Sequence, residues 1–360
     1  MIIERLELDN YRNYEKLELD FSDKTNIFYG DNAQGKTNIL EAVFICCTTK
    51  SHKRSKDSEI IRFGEKEAHI RLFLKKNNID YKIDMHLRKS AGKFVAINSV
   101  PIRAAVELMG VANIVFFSPE DLNIIKNGPS ERRRFVDMEL CQLNKIYLED
   151  ISKYNKCLLQ RNKLLKDISF GNTYLTDTLD VWDMQLFESG KNVIKYRDKF
   201  IKEMNEIIKV IHSSLSGGRE ELELIYEPNT SIEDFEKKLS SNRNKDIKMA
   251  TTTTGPHRDD MNFVLNGVDL RKYGSQGQQR TAALSLKLSE IEIVKRMIRD
   301  DPILLLDDVL SELDENRQKY LLESIGGIQT LITCTGIDDF IKSRIDIDKT
   351  YKVVNGRIEE

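Results

Sequence analysis

The segment Gly30-Asp-Asn-Ala-Gln-Gly-Lys-Thr37 decides the fold, because it matches the phosphate-loop pattern G-x-x-x-x-G-K-[ST]. The apolar residues 27–29 precede it, and residues 39–44 give a helical apolar face after it. Glycine lets the backbone curl so that its N–H groups face phosphate oxygens at the positive end of the new helix. We expect the Lys36 ammonium to meet the β- and γ-phosphates and the Thr37 hydroxyl to ligate Mg²⁺. The pattern therefore predicts a nucleoside triphosphate site.

A second apolar run, Ile303-Leu-Leu-Leu306, ends in two carboxylates, Asp307 and Asp308. Groups at the carboxyl end of such a strand lie at the same sheet edge as the phosphate loop. We expect Asp307 to hold Mg²⁺, directly or through water, and Asp308 to orient or deprotonate the attacking water. A helix N-cap is the alternative role for these two acidic residues.

A third motif, Ser275-Gln-Gly-Gln-Gln279, stands one predicted helix before that strand. Ser275 suits a helix N-cap, Gly277 permits close approach, and the start of a helix favours an anion. The motif resembles the signature of ATP-binding-cassette (ABC) proteins, and residues 311–314 resemble their D-loop. In that class the signature of one subunit completes the phosphate site of another. The resemblance therefore implies a homodimer that ATP holds together and that hydrolysis releases.

The order of the predicted elements indicates one α/β domain that a helical insertion divides. Strand-like alternation dominates the first hundred residues, and two helical apolar stripes occupy residues 147–211, with Arg161 interrupting the first. We predict an α/β, ABC-type (SMC-like) P-loop ATPase head with an inserted helical lobe that resembles a short antiparallel coiled coil. The predicted domains are an N-terminal head part (1–117), the helical insertion (118–244) and a C-terminal head part (245–360).

The amino-acid composition excludes several classes of function. Lys and Arg total 56 against 58 Asp and Glu, so the formal net charge is −2 and a globally basic nucleic-acid binder is excluded. The charged start lacks the apolar core of a signal peptide and no apolar run reaches membrane-spanning length, so we expect a cytoplasmic protein without a membrane partner. The five cysteines are scattered without a Cys-x-x-Cys pair, which disfavours both a disulfide framework and a zinc site.

Further motifs, in order along the whole chain, resemble those of the RecF family of bacterial recombinational-repair ATPases. They are Asn10–Tyr14, residues 30–38, Phe117–Leu122 with Gly128–Phe135, Thr254–Asp260 and Ser275–Gln279. The resemblance implies ATP and Mg²⁺ as ligands, dimerisation on ATP, and binding to duplex DNA at single-strand gap junctions. It also implies action with RecO and RecR, loading of the RecA recombinase, and slow, DNA-stimulated hydrolysis. The alternative is an SMC-like ABC ATPase that switches a protein assembly without touching DNA.

The resemblance also implies site residues. The expected nucleotide contacts are Arg12, Asn13, Gly30, Asp31, Asn32, Ala33, Gln34, Gly35, Lys36, Thr37, Asn38, Ser275, Gln276, Gly277 and Gln278. Besides Lys36 and Asp308, Glu120 is expected to act in catalysis, where related heads have a Q-loop; Asp121 is the alternative, and both could instead cap a helix.

Two departures from the wider ABC class predict slow turnover. Asp308 replaces a glutamate, and residues 333–335 stand where a switch histidine is common. His257 could stabilise phosphate or make a structural hydrogen bond.

Two basic clusters are candidates for contact with DNA phosphates. The first cluster, called the basic loop below, comprises Lys50, His52, Lys53, Arg54 and Lys56. The second, Arg132–Arg134, could instead pair with Glu131, Asp137 and Glu139. No stacking platform for single strands is evident, which favours recognition of duplex.

Overall fold

The computed structural model describes residues 1–103, 105–336 and 347–359, and the chain divides into two compact units. The first unit comprises residues 1–121 and 290–360, and the second comprises residues 122–289. The strands are β1 (Ile2–Tyr11), β2 (Tyr14–Asp20), β3 (Thr25–Tyr29), β4 (Glu67–Lys76), β5 (Ile79–Arg88), β6 (Gly92–Ile97), β7 (Val100–Pro101), β8 (Ile114–Phe117), β9 (Leu222–Glu227), β10 (Asp260–Leu265), β11 (Val268–Asp269), β12 (Ile303–Asp307), β13 (Thr330–Cys334), β14 (Ile347–Val354) and β15 (Arg357–Glu359).

The helices vary from single turns to a helix of ten turns. They are α1 (Lys36–Thr48), α2 (Asp57–Ile60), α3 (Ala105–Leu108), α4 (Leu122–Lys126), α5 (Pro129–Leu143), α6 (Lys145–Ser169), α7 (Leu179–Leu215), α8 (Ile232–Ser241), α9 (Arg243–Met249), α10 (Leu270–Tyr273), α11 (Gln276–Ile298) and α12 (Glu315–Ser324). Short 3₁₀ turns occur at Pro119–Asp121, Thr173–Thr178, Pro256–Arg258 and Leu310–Glu312. Within the described ranges, every helix is too short or too polar to cross a bilayer.

The first unit contains two six-stranded sheets. One is antiparallel, in the order β2-β1-β4-β5-β6-β7, and it buries one face: Leu6 and Leu8 of β1 are fully buried beside Ile70 and Leu72 of β4. The alternation of polar and apolar residues predicted from the sequence therefore corresponds to a sheet with one solvated face.

The second sheet carries the nucleotide motifs. Its order is β15-β14-β3-β13-β12-β8, and β14, β3, β13, β12 and β8 run parallel. β12 and β8 are buried along their whole length, as expected for parallel strands covered on both faces. Tyr29 pairs with Cys334, and Asp307 pairs with Thr333, so β3, β13 and β12 end at one edge of the sheet. The phosphate loop and the carboxylates that follow β12 are thereby neighbours.

The helix α1 contacts strands of both sheets of this unit, including β4 and β13. Eleven of its thirteen residues are buried, so it lacks a solvated face, as a helix enclosed on all sides must. The phosphate loop is therefore attached to a rigid central element.

The second unit contains the predicted helical pair and a three-stranded sheet in the order β11-β10-β9. Side-chain contacts between α6 and α7 join Arg161 to Asp183 and Asn192 to Asp150, so the helices are antiparallel. The observed division differs from the predicted domains. Residues 245–289 belong to the helical unit, because β10 pairs with β9 along its length.

Arg161 does not interrupt the helical stripe in the way that its charge suggested. It is fully buried; its Nε donates to Asp183 (2.6 Å), and its Nη1 donates to Asp246 (2.8 Å) and Thr252 (2.9 Å). Because both carboxylates are also buried, the charges compensate one another inside the unit. The stripe is continuous, and Arg161 belongs to the core.

Candidate active site

The phosphate loop connects β3 to α1, and its two motif glycines have backbone conformations that side chains rarely adopt. Gly30 has φ 142° and Gly35 has φ 116°. A Cβ at Gly30 would lie 2.5 Å from the carbonyl oxygen of Val353, and one at Gly35 would lie 2.5 Å from Asn13 Nδ2. Glycine is thus required at both positions by conformation and by space. Between them, Asp31, Asn32 and Ala33 are exposed at the apex.

The Lys36 ammonium lies across this loop. The residue is 7% exposed, and its Nζ donates to the carbonyl oxygens of Gly30 (2.5 Å) and Asp31 (2.8 Å). An ammonium has three N–H donors, so these carbonyls leave one for a phosphate oxygen. A buried positive charge at the first turn of a helix suits an anion.

Three oxygen-bearing side chains lie together beside the phosphate loop, those of Thr37, Asp307 and Thr333. Thr37 Oγ1 donates to Asp307 Oδ1 over 2.7 Å, and Thr333 Oγ1 donates to the same oxygen over 2.8 Å. Hard oxygen ligands beside a phosphate loop are the donors that Mg²⁺ prefers. The donor set at Thr37 and Asp307 therefore fits the metal expected from the sequence.

Asp308 follows with a left-handed backbone conformation, φ 52°. Its N–H is fixed at Thr333, by Oγ1 at 3.0 Å and by the carbonyl oxygen at 3.2 Å. Its Oδ1 is buried and has no hydrogen-bond partner among the described residues. A buried carboxylate oxygen without a partner is rare in folded proteins, and here it marks a group arranged for a water or ligand. Thr333, in the segment where a switch histidine is common in the wider ABC class, contacts both acidic residues.

Asn13 holds the loop from the turn between β1 and β2. Its Nδ2 donates to the Gln34 carbonyl (2.9 Å), and its Oδ1 accepts from Asn38 Nδ2 (2.8 Å). The neighbouring Tyr14 hydroxyl donates to the Gly35 carbonyl at 3.1 Å. The expected nucleotide residue Asn13 therefore contacts the loop itself.

A second clamp comes from the turn between β14 and β15, which the sequence analysis did not identify. The N–H of Asn355 donates to Gln34 Oε1 (2.6 Å), and the N–H of Gly356 donates to the Gln34 carbonyl (3.0 Å). The Asn-Gly pair between two alternating segments was the available signal, since it is typical of tight hairpins.

Arg12 contacts a buried carboxylate. Its Nε and Nη2 donate to Glu41 at 2.8 and 2.6 Å, and its Nη2 also donates to Ser55 Oγ at 2.7 Å. Burial raises the pKa of Glu41, but hydrogen bonds from Arg12 and Ser51 outweigh it and hold that pKa below its ordinary value. Glu41, fully buried in α1, is a residue that sequence reasoning missed; the only signal was one acidic residue in an apolar helix.

The two acidic residues after β8 differ in their environment. Asp121 Oδ2 accepts the N–H of Ser118 at 2.8 Å, which is the capping role considered from the sequence. Glu120 is exposed in the same 3₁₀ turn. The Glu120 carboxylate is therefore accessible to a ligand, whereas the Asp121 carboxylate already accepts a backbone hydrogen bond.

The signature motif starts α11, in the second unit. Ser275 Oγ accepts the N–H of Gln278 (3.2 Å), and Gln278 Oε1 accepts the N–H of Ser275 (2.9 Å), which is a reciprocal capping box. Gln278 Nε2 also donates to Glu220 (2.9 Å). Ser275, Gln276 and Gly277 are exposed. Within 4 Å of a Cβ built at Gly277, only Ser275 Oγ occurs among the described residues, at 3.9 Å.

The two basic clusters differ in exposure. In the basic loop, Lys50, Lys53, Arg54 and Lys56 are exposed, whereas the half-buried His52 ring packs on Phe116 with a centroid distance of 4.3 Å. Arg132 is 3% exposed and donates through Nε and Nη2 to Asp260, at 2.6 and 2.9 Å.

The second cluster is thus at least partly structural. Arg133 Nη1 donates to the Asp259 carbonyl at 2.6 Å. Since Arg132 pairs with an acidic residue more than a hundred positions away, the local partners considered from the sequence were not the ones that it uses.

His257 makes structural hydrogen bonds. The Tyr154 hydroxyl lies 2.6 Å from Nδ1, and the Thr252 carbonyl lies 3.0 Å from Nε2. A neutral ring that accepts at Nδ1 and donates at Nε2 satisfies both contacts. Burial, together with the positive charges of Arg258 and Arg133, lowers the pKa of His257 to about 4.

Comparison with known proteins identifies the family. The model of the RecF/RecN/SMC N-terminal domain matches residues 2–357. The "DNA replication and repair protein RecF" of Agathobacter rectalis is 64% identical over 361 residues, covering 100% of this chain and 99% of that protein. A solved structure described as "the recombination mediator protein RecF-ATP in RecFOR pathway" superposes with a TM-score of 0.92 at 36% identity, covering 99% of this chain and 97% of that one.

A more distant structure, an SMC head bound to the C-terminal winged-helix domain of ScpA, has a TM-score of 0.59 at 16% identity and shows the shared fold alone. The chain belongs to the RecF family of DNA replication and repair proteins, and it is an ABC-type ATPase. The family and the α/β, SMC-like fold class predicted from the motifs are confirmed.

Proposed function

We propose that this chain is an ATP-switched clamp of recombinational repair. Two copies close on ATP, bind duplex DNA at single-strand gap junctions, and separate after slow, DNA-stimulated hydrolysis. We further propose that the clamp acts with RecO and RecR to load the recombinase, since a relative of 36% identity is described as a recombination mediator of the RecFOR pathway.

The observation that supports an ATP-dependent dimer is the environment of Gly277 in the signature motif. Gly277 lies exposed in the first turn of α11. Apart from its chain neighbours and the nearby backbone of its own helix, a Cβ there would meet only Ser275 Oγ among the described residues within 4 Å, at 3.9 Å. Because the packing of the chain leaves this position open, a group of another molecule can approach the start of α11 closely. The γ-phosphate of ATP held by a second copy fits the exposed start of this helix, where the helix dipole favours an anion.

The phosphate-loop side supplies the other half of each site. Lys36 provides the positive charge for the β- and γ-phosphates, with Arg12, Asn13 and residues 30–38 around the nucleotide. Thr37 and Asp307 would hold Mg²⁺, which supplies charge neutralisation at the phosphates. The free Oδ1 of Asp308 accepts a hydrogen bond from the attacking water and takes its proton. Thr333 holds the Asp307 carboxylate and the Asp308 backbone in register.

The basic loop is the proposed contact with DNA. Lys50, Lys53, Arg54 and Lys56 are exposed side chains on a short segment that precedes α2. Ammonium and guanidinium groups of this kind neutralise backbone phosphates without reading bases. Recognition of a junction, rather than of a sequence, suits such contacts.

Sizing of Asp308→Asn by light scattering, with and without ATP, tests the proposal. This substitution keeps the shape of the side chain and removes the base, so we expect ATP to convert monomer into a persistent dimer. Lys36→Ala is the control and should remain monomeric, because it loses the ammonium that binds phosphate. A monomeric Asp308→Asn at saturating ATP would reject the shared site.

Adding gapped duplex to the trapped dimer tests the second part. We expect the dimer to bind gapped duplex more tightly than either single strand or blunt duplex. A dimer that forms on ATP but leaves the mobility of every DNA unchanged would instead favour the alternative, a switch for a protein assembly.

A further inference from the structure

Two histidines and a glutamate lie together on the solvated face of the antiparallel sheet of the first unit, away from the nucleotide motifs in sequence. His69 of β4 is directly opposite His86 of β5 in the strand register, and their rings stack with a centroid distance of 4.0 Å. Glu67 precedes His69 by two residues and therefore points to the same face. Its Oε2 lies 2.9 Å from His86 Nε2.

We propose that Glu67, His69 and His86 bind a divalent transition-metal ion of the zinc type. Each residue offers one ligand atom, and the three atoms all lie within 4.8 Å of one another. Ligands of a tetrahedral zinc ion are about 3.4 Å apart, given metal–ligand bonds of about 2.0–2.1 Å. Small side-chain rotations therefore suffice to bring all three atoms onto one ion.

The chemistry of the ligands selects the type of metal. Two imidazoles and one carboxylate form the three-ligand set of many zinc sites, whereas Mg²⁺ and Ca²⁺ prefer all-oxygen sites. The scattered cysteines lead the sequence analysis to disfavour a zinc site; the cluster proposed here departs from that expectation and uses no cysteine. The nearest strand neighbour on the other side is Asp9 of β1, which is opposite His69 and carries a further carboxylate.

Two arginines border the cluster, and Arg88, which is opposite Glu67, is exposed to solvent. Arg71, on the same face of β4, is already engaged by Glu7 at 3.2 Å and by Asp84 at 3.1 Å. The side chains of His86 and Glu67 are 27% and 53% exposed, so an ion reaches them from solvent without opening of the sheet. All three ligands stand on the two adjacent strands of one hairpin, whose backbone hydrogen bonds fix their spacing.

The test uses the full chain, freed of metal by a chelator and kept without nucleotide. Zn²⁺ is titrated in competition with a chromophoric chelator, and Co²⁺ is added separately to detect the visible absorption of a tetrahedral site. We expect one ion per chain. His69→Asn and His86→Asn should each weaken binding by at least about tenfold, since even loss of a group that only supports a ligand costs this much.

Matched variants separate this site from other metal-binding groups. Glu67→Gln should weaken zinc binding, whereas Glu18→Gln, at an exposed carboxylate on β2 of the same sheet, should not. Asp307→Asn removes the acidic residue at the phosphate loop and should leave the zinc affinity unchanged. Zinc binding that is absent, or that persists at full affinity in both histidine variants, would overturn the proposal. Circular dichroism of each variant establishes that the fold is retained. The thermal midpoint should rise with Zn²⁺ in the parent chain, Glu18→Gln and Asp307→Asn, and should rise less or not at all in the two histidine variants.

Discussion

Thr37 and Asp307 are 270 residues apart in the chain, and a hydrogen bond of 2.7 Å joins Thr37 Oγ1 to Asp307 Oδ1. The bond links the first turn of α1 to the end of β12, and Thr333 of the intervening strand β13 donates to the same oxygen. The register of β12 and β13 therefore helps to hold these side chains of the nucleotide site together.

Replacing Thr37 by Val should abolish most hydrolysis while the fold persists. Valine keeps the shape of the side chain but removes the hydroxyl that would hold Mg²⁺. Since a bound metal contributes several kcal/mol of transition-state stabilisation, phosphate release should fall by about a hundredfold or more. Thr48→Val, at the other end of α1, is the control, because the Thr48 hydroxyl bonds to backbone groups, the carbonyl oxygens of Phe44 and Lys50 and the N–H of Lys50. Equal rates for the two variants would contradict the assignment.

Ser275→Arg should block dimerisation and leave ATP binding intact. The bulky cation would fill the exposed helix start where a second copy is expected. Ser231→Arg is a matched control, since Ser231 caps α8 through the same kind of bond, to the N–H of Asp234 at 3.1 Å. Each substitution should cost about 1 kcal/mol of stability from the lost cap. Light scattering with ATP distinguishes them: only Ser275→Arg should stay monomeric.

Lys53→Ala together with Arg54→Ala should weaken DNA binding equally for all sequences. Each removed phosphate contact should reduce the slope of log affinity against log salt by about 1. Lys163→Ala, an exposed lysine on α6, serves as control and should leave the slope unchanged. An unaltered slope in the double variant would place the DNA elsewhere on the surface. Fluorescence anisotropy at several salt concentrations provides the measurement.

Arg161→Ala should strongly destabilise the second unit. It leaves the buried carboxylates of Asp183 and Asp246 without their counter-charge, which typically costs about 3–5 kcal/mol. Arg5→Ala removes ion pairs of a side chain that is 38% exposed, and it should cost about 1 kcal/mol or less. Urea unfolding followed by circular dichroism compares the two. Similar midpoints would mean that the buried cluster contributes no more than a surface pair.

His257 should make the stability of the second unit depend on pH below neutrality. Its folded pKa, about 4, lies below the ordinary value of 6.5, so the unfolded state takes up the proton first as pH falls. The stability is fully present above pH 6.5 and is lost progressively down to about pH 4. At pH 5 the loss should be about 2 kcal/mol. His257→Gln should remove this part of the pH dependence, and urea midpoints at pH 7 and pH 5 measure it.

The central elements of the nucleotide half-site were predictable because their signals are local. An apolar run before a glycine loop gives β3 and α1, and an apolar run before two carboxylates gives β12. The parallel strand rule then places Thr37 and Asp307 at one sheet edge without knowledge of the intervening chain. The capping box at Ser275 is likewise visible in four consecutive residues.

Contacts between segments that are far apart in the chain produce no comparable pattern in the sequence. Two examples are the clamp on Gln34 by Asn355 and the pairing of Arg12 with Glu41. These residues become neighbours only in the folded chain, so no local sequence pattern predicts the contacts. The basic run at Arg132 predicts a DNA contact or a local ion pair, yet Arg132 is buried and its carboxylate partner is the distant Asp260. A charge inside an apolar stripe, as at Arg161, is better read as a sign of a buried counter-charge elsewhere.

The contacts on Gln34 set an order of events during synthesis. Their donors, Asn355 and Gly356, leave the ribosome about 320 residues after the phosphate loop. At roughly 5–20 residues per second, that interval lasts from about 15 seconds to a minute. For most of its translation the nascent polypeptide therefore carries a loop without this second clamp. A premature stop ahead of the β14–β15 turn would release a product whose nucleotide loop never acquires these hydrogen bonds.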